Sequence, residues 1–202
     1  MKILALNAGS SSLKACVYAL DDHPSAPAAI APLWQARADW SQHPGQAEIR
    51  IQTAQGTLLE KRINIASPEA TFDLLLESLW SGSATAVRDR SEIDVVGHRV
   101  VHGGKVFRES TQVTPEVRAE IARLVELAPS HNQFELEGIE AIDRVLGPDT
   151  VQMAVFDTAF HASLSPAAFV YPGPYAWLEQ GIRPGSAIST RLGERHKYSA
   201  GT

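Results

Sequence analysis

The stretch Asn7-Ala8-Gly9-Ser10-Ser11-Ser12-Leu13-Lys14 gathers an amide, a glycine, a run of hydroxyls and an ammonium group. Such a set suits an anion. Glycine allows close backbone approach, successive N–H groups in a turn make a phosphate-sized nest, and the side chains add donors. The same residues also describe an ordinary hairpin turn. It is not a Walker loop, since Gly-x-x-x-x-Gly-Lys-Ser/Thr is absent and the turn joins two strand-like runs. A second cluster is Gly97-His98-Arg99-Val100-Val101-His102-Gly103-Gly104. An arginine near the end of a buried strand is costly unless an anion meets it, and its planar fork suits carboxylate or phosphate. Strand alternation places Arg99 and Val101 on one face, where a charge and an apolar group could hold the two ends of a small organic acid. The alternative is a structural arginine paired with a nearby Asp or Glu. His98 and His102 share the other face but stand far apart and lack a third ligand nearby in sequence, which argues against a metal pair. His131, in what reads as a loop, is of the type that donates to developing charge, or is a solvated bystander. Asp157 directly follows a buried apolar run, where ligands of α/β sheets collect, and is a candidate base or metal-linked acid, or the cap of the next turn.

The elements that would position these residues follow from periodicity. Ile3–Leu6 and Leu13–Leu20 read as two strands around the serine turn. Asp21 to Pro44 has no clear period and reads as a surface excursion, with Trp34 and Trp40 as anchors. Glu48–Gln52 alternates and pairs with 58–65 as a hairpin. Ser67-Pro68-Glu69 caps a helix that buries Phe72, Leu75, Leu76 and Leu79. Ile93–Val101 is a core strand. Thr114-Pro115-Glu116 opens a second helix with Val117, Ile121, Leu124 and Val125 on one face. Asn132 and Glu135 resemble a capping box opening a third helix, which Gly147 ends. Val151–Phe156 is a further buried strand. Cys16, among alternating apolar residues, reads as a small core residue.

Composition bounds what this α/β chain can be. Its 202 residues are 44% apolar and 20% charged, enough for a sizeable core. A net charge of -5 argues against a nucleic-acid surface, which needs clustered Lys and Arg. One cysteine excludes an internal disulfide framework. The opening apolar run is too short for a signal peptide or membrane span, so a cytoplasmic setting is expected.

Taken together, the blocks resemble the acetate kinase family in order and spacing from residue 1 to about 183. They are residues 7–14, Gly97 to Gly104, Leu127-Ala128-Pro129 with His131-Asn132, Gly138-Ile139-Glu140-Ala141, Phe156 to His161, and Tyr171 with Pro174-Tyr175. The resemblance implies a ribonuclease H-like actin/Hsp70/sugar-kinase fold, a mixed sheet flanked by helices, of which 1–183 would be the N-terminal one of two domains and the start of the interdomain region. It implies reversible transfer of the γ-phosphoryl of ATP to acetate with Mg²⁺, giving acetyl phosphate. Asn7, Ser10, Ser12 and Lys14 would then lie near the phosphates, with Asn7 also near the metal. Arg99 would bind acetate and steady the phosphoryl group, and Val101 would line the methyl pocket. Asp157 would organise nucleophile and metal, and His131 would hydrogen-bond the phosphoryl group. The chain departs from the family at Ser130, where a leucine usually lines the methyl pocket, and at Gln133, usually proline. Ser130 keeps propionate or butyrate kinase as an alternative. Residues 184–202 read as a tail without resemblance, as a shifted frame or truncation would leave. The second domain, through which the family commonly forms homodimers, has no counterpart here. Weak activity, or a non-catalytic remnant, is therefore expected.

Overall fold

The computed structural model describes residues 1–21, 30–65, 67–104, 106–125 and 129–161. Five strands run as an antiparallel meander: β1 (Lys2–Ala8), β2 (Ser12–Ala19), β3 (Trp34–Asp39), β4 (Gln46–Thr53) and β5 (Leu58–Asn64). After helix α1 (Pro68–Glu77), β6 (Val95–Val100) returns parallel to β1. A short edge strand β7 (Thr111–Gln112), helices α2 (Pro115–Leu124) and α3 (Pro129–Val145), and strand β8 (Gln152–Phe156) complete the order. β8 lies parallel to β6, giving one mixed eight-stranded sheet, β5-β4-β3-β2-β1-β6-β8-β7.

Alternation decides the core. Leu4, Leu6, Leu13, Val17, Ile49 and Ile51 point to the face that receives Phe72, Leu75 and Leu76 of α1. A second cluster sets Val100, Ala154 and Phe156 against Val117, Ile121 of α2 and Ile139 of α3. The described α-helices therefore cover a single sheet face. α3 packs close at Gly138, where a Cβ would sit in ordinary contact with Phe72 of α1 at 3.4 Å and Ala8 of β1 at 3.6 Å. Ser67 caps α1, accepting from the Ala70 N–H, and Thr114 caps α2, accepting from the Val117 N–H. No helix among the described residues is long and apolar enough to cross a membrane.

Three expectations need correction. The excursion from 21 to 44 contains β3, whose Trp34 is fully buried and donates its indole N–H to the Ala84 carbonyl at 2.9 Å. Its other inward residues are Ala36 and Ala38, too small to register as an apolar period, and 22–29 lie outside the described residues. Helix α3 begins at Pro129, so Asn132 sits inside it and is no cap, and His131 belongs to its first turn rather than to a loop. Cys16 is only half-buried, because the register sends Ala15 and Val17 into the core and Cys16 to the opposite face.

Candidate active site

β1, β6 and β8 run parallel, so their carboxyl ends lie side by side, the place where α/β sheets gather ligands. Each delivers one polar side chain there: Asn7 from the end of β1, Arg99 from β6, and Asp157 from the residue after β8, which opens the 3-10 turn Asp157–His161. Arg99 Nε donates to Asp157 Oδ1 at 3.0 Å, and Nη2 donates to Oδ2. Nη1 donates to Asn7 Oδ1 at 3.2 Å. The hydrogen-bonded Asp157 carboxylate raises the Arg99 pKa further, so the guanidinium is a permanent cation. Its side chain keeps 41% of its surface exposed. Of the two sequence readings of Arg99, the structure bears out the arginine paired with a nearby carboxylate, and that partner is the other candidate residue.

Lys14 stands directly opposite Asn7 in the β1–β2 ladder and is exposed on the same face. Ser10 is exposed and Ser12 half-buried in the turn between these strands. Trp40 holds that turn. Its indole N–H donates to the Ser10 carbonyl at 2.8 Å and its backbone N–H to the Ser11 carbonyl at 3.1 Å. Gly9 is not in the left-handed region, so its freedom at positive φ is unused; a Cβ there would meet only the Ser12 carbonyl, at 3.6 Å.

Past β6 the chain is tied from two sides. Val101 N–H donates to Glu135 Oε1 on α3 at 2.9 Å, and Gly103 N–H donates to Thr158 Oγ1 at 3.0 Å. Gly103 must be glycine, because a Cβ would lie 2.9 Å from the Phe156 ring, which stacks on Phe107. Gly104 adopts φ +63. On the opposite face of β6, His98 Nε2 meets Gln152 Oε1 at 2.7 Å. Burial lowers the His98 pKa to about 4. His102 accepts the Gly104 N–H at Nδ1, and burial lowers its pKa too.

The structure brings Asn7, Lys14, Arg99 and Asp157 together, with Val101 two residues beyond Arg99. His131 and Ser130 fall in the first turn of α3, with side chains outside the described residues, as are Tyr171, Tyr175, Trp177 and residues 184–202. Sequence reasoning missed Glu135 as a site neighbour. It is 3% exposed, its carboxyl is pushed up to about 7 by burial, and its nearest charged influences are Arg99 and Asp157. A signal existed: Glu135 continues the helical stripe of Ile139, Ile142 and Leu146, an acid on an apolar face.

The profile of the acetokinase family matches residues 2–198. The acetate kinase of Nostoc punctiforme is 49% identical over 91% of this chain, and that of Rippkaea orientalis 44% identical over 99%. These alignments cover 45% and 48% of the two relatives, so the chain spans about half their length. Among solved structures, Porphyromonas gingivalis acetate kinase superposes with a TM-score of 0.77 at 31% identity, covering 90% of this chain and 44% of that one. A propionate kinase from Francisella tularensis gives 0.74 at 28% identity, covering 94% and 45%.

Proposed function

The chain belongs to the acetokinase family, with one domain of its actin/Hsp70-like fold, and we propose that it forms the carboxylate-binding wall of a kinase cleft. The reaction is reversible transfer of the γ-phosphoryl of ATP to acetate, giving acetyl phosphate and ADP. The observation that carries this reading is Arg99, a partly exposed permanent cation held by Asp157 and Asn7 at the ends of parallel strands. Phosphoryl transfer needs positioning and charge neutralisation more than covalent chemistry. Arg99 pairs with the acceptor carboxylate and then with the transferring group. Val101 faces the acceptor methyl. Asp157 fixes the guanidinium plane, so little reorganisation accompanies the step. Lys14, Ser10 and Ser12 meet phosphate oxygens, and His131 donates to the phosphoryl group.

Mg²⁺ fits the donor chemistry, since Asn7 Oδ1 and the Asp157 carboxylate are hard oxygen ligands and one carboxylate plus phosphates is a usual Mg²⁺ set. These two residues would hold it, and the bound ion would neutralise phosphate charge. A cytoplasmic setting and homodimerisation through the second domain belong to the same reading. Residues 1–183 would be the domain proper, with 184–202 outside it, although the family profile runs on to 198. A wall needs its partner wall, so these 202 residues tested by themselves should turn over far more slowly than a relative of full length. Propionate or butyrate is the second acceptor reading, favoured by Ser130, where a hydroxyl replaces apolar volume. Anion binding without turnover is the third.

Hydroxylamine trapping of acyl phosphate, with acetate, ATP and Mg²⁺, tests the proposal. Signal from the chain should fall about 10²–10³-fold in Asp157→Asn, the size of effect that follows loss of one preorganised charge partner. Signal that survives the substitution would come from a contaminating kinase. No signal from a folded chain, together with no binding of acetate or Mg-ATP, would overturn the reading.

A further inference from the structure

Glu135 is costly where it stands. One oxygen accepts the Val101 N–H at 2.9 Å, while Oε2 is buried with no hydrogen-bond partner among the described residues. A carboxyl with an unmatched buried oxygen loses water without recompense, and an apolar residue would suit the Ile139–Ile142–Leu146 stripe better. The cost falls where α3 meets the strand end that carries Arg99. The charged groups that face it are Arg99 on β6 and Asp157 after β8.

The geometry points to Glu135 as a specificity-determining positioning residue: by holding the Val101 N–H it sets the apolar wall beside Arg99, and so the chain length of carboxylate that fits. This rests on the carboxylate-kinase reading above. The Gly103–Thr158 bond anchors the same segment from the Asp157 side, so Glu135 and Thr158 fix alternate backbone N–H groups from two different elements. Between them the backbone has no slack to take up, and Val101 cannot retreat to admit a longer acid. Excluding or admitting one methylene changes discrimination by roughly 10–200-fold in apolar pockets, so a small displacement of Val101 is readable as selectivity.

The test uses the ¹⁵N-labelled 202-residue chain and two variants. Glu135→Gln keeps an acceptor for Val101, whereas Glu135→Met removes it but preserves volume on an apolar stripe, so both should fold. Amide exchange reads the brace at Val101. Titration with sodium acetate and sodium butyrate, followed at the Arg99 Nε–H and Val101 signals, reads selectivity. In Glu135→Met, Val101 protection should fall roughly tenfold, the loss of one hydrogen bond. The acetate-over-butyrate preference should fall about fivefold or more, and Glu135→Gln should restore both. Unchanged protection in Glu135→Met overturns the brace. Lost protection with unchanged selectivity overturns the specificity role and leaves the kinase reading standing. A wild-type chain that protects Val101 but binds neither anion overturns the kinase reading, and the specificity role with it.

Discussion

His98 and Arg99 are consecutive on β6 and face opposite ways, and the two sides of that strand solve the same problem differently. On the His98 side the polar groups close on one another. Asp143 can only accept, so Gln152 presents its amide N–H to Asp143 Oδ1 at 2.7 Å and its oxygen to His98, which makes Nε2 the protonated nitrogen. Arg118 completes the chain at Asp143 Oδ2, 2.6 Å away. Burial keeps His98 neutral. On the Arg99 side the groups are held but not sealed. The guanidinium stays partly exposed, and at the strand's end Glu135, reaching over from α3, has one oxygen without a partner among the described residues. Scaffold and candidate site are thus separated by the thickness of one strand.

That contrast is most sharply tested by pH, because the two sides carry slopes of opposite sign. An unfolded chain protonates His98 near 6.5, whereas the folded chain resists until about 4, so this residue makes stability fall as pH drops through that interval. Glu135 is the reverse. Its folded carboxyl keeps the proton up to about 7 against an ordinary 4.5, so stability falls as pH rises between them. From 4.5 to 6.5 the slopes offset. Glu135→Gln should uncover the His98 slope, which His102 reinforces with the same sign, a gain of about 3 kcal/mol from pH 4 to pH 6.5 in urea unfolding. A variant profile parallel to that of the parent would break the comparison.

A smaller effect should come from opening the closed side. Gln152→Leu leaves the His98 N–H and one Asp143 oxygen without their partner, and should cost about 2 kcal/mol in thermal unfolding. Carboxylate binding at Arg99 should be nearly unchanged if the strand insulates the two faces; a comparable loss of binding would show that it does not. Smallest is Trp40→Phe, which deletes the indole N–H that holds the Ser10 carbonyl. Stability should fall by about 1 kcal/mol, and on the proposed reading, in which the serine turn meets the phosphates, Mg-ATP binding should weaken more than acetate binding.

Much of the meander and the helix starts was legible because they are local. Ser67 and Thr114 precede their prolines, and the stripes of α1 and α2 repeat at helical spacing. β3 was not, because Ala36 and Ala38 gain their burial from neighbours on β2 and β4 and carry little apolar signal of their own. The start of α3 was misplaced for a related reason. Glu135 has the right spacing for a capping box with Asn132, but its carboxyl is spent on a backbone N–H from another element.

The amino-acid sequence by itself determined the family, singled out Asn7, Lys14, Arg99 and Asp157 as candidates, and assigned their faces by alternation. Residue types and spacings persist in the one-dimensional order. Only the tertiary structure decided that Asp157, not some other acid, meets Arg99, that Asn7 joins them, and that Glu135 stands behind Val101. Those pairings depend on which strands lie parallel and which helix covers their ends. Neither is a property of any segment alone, because each follows from the cheapest way to bury all the apolar faces together.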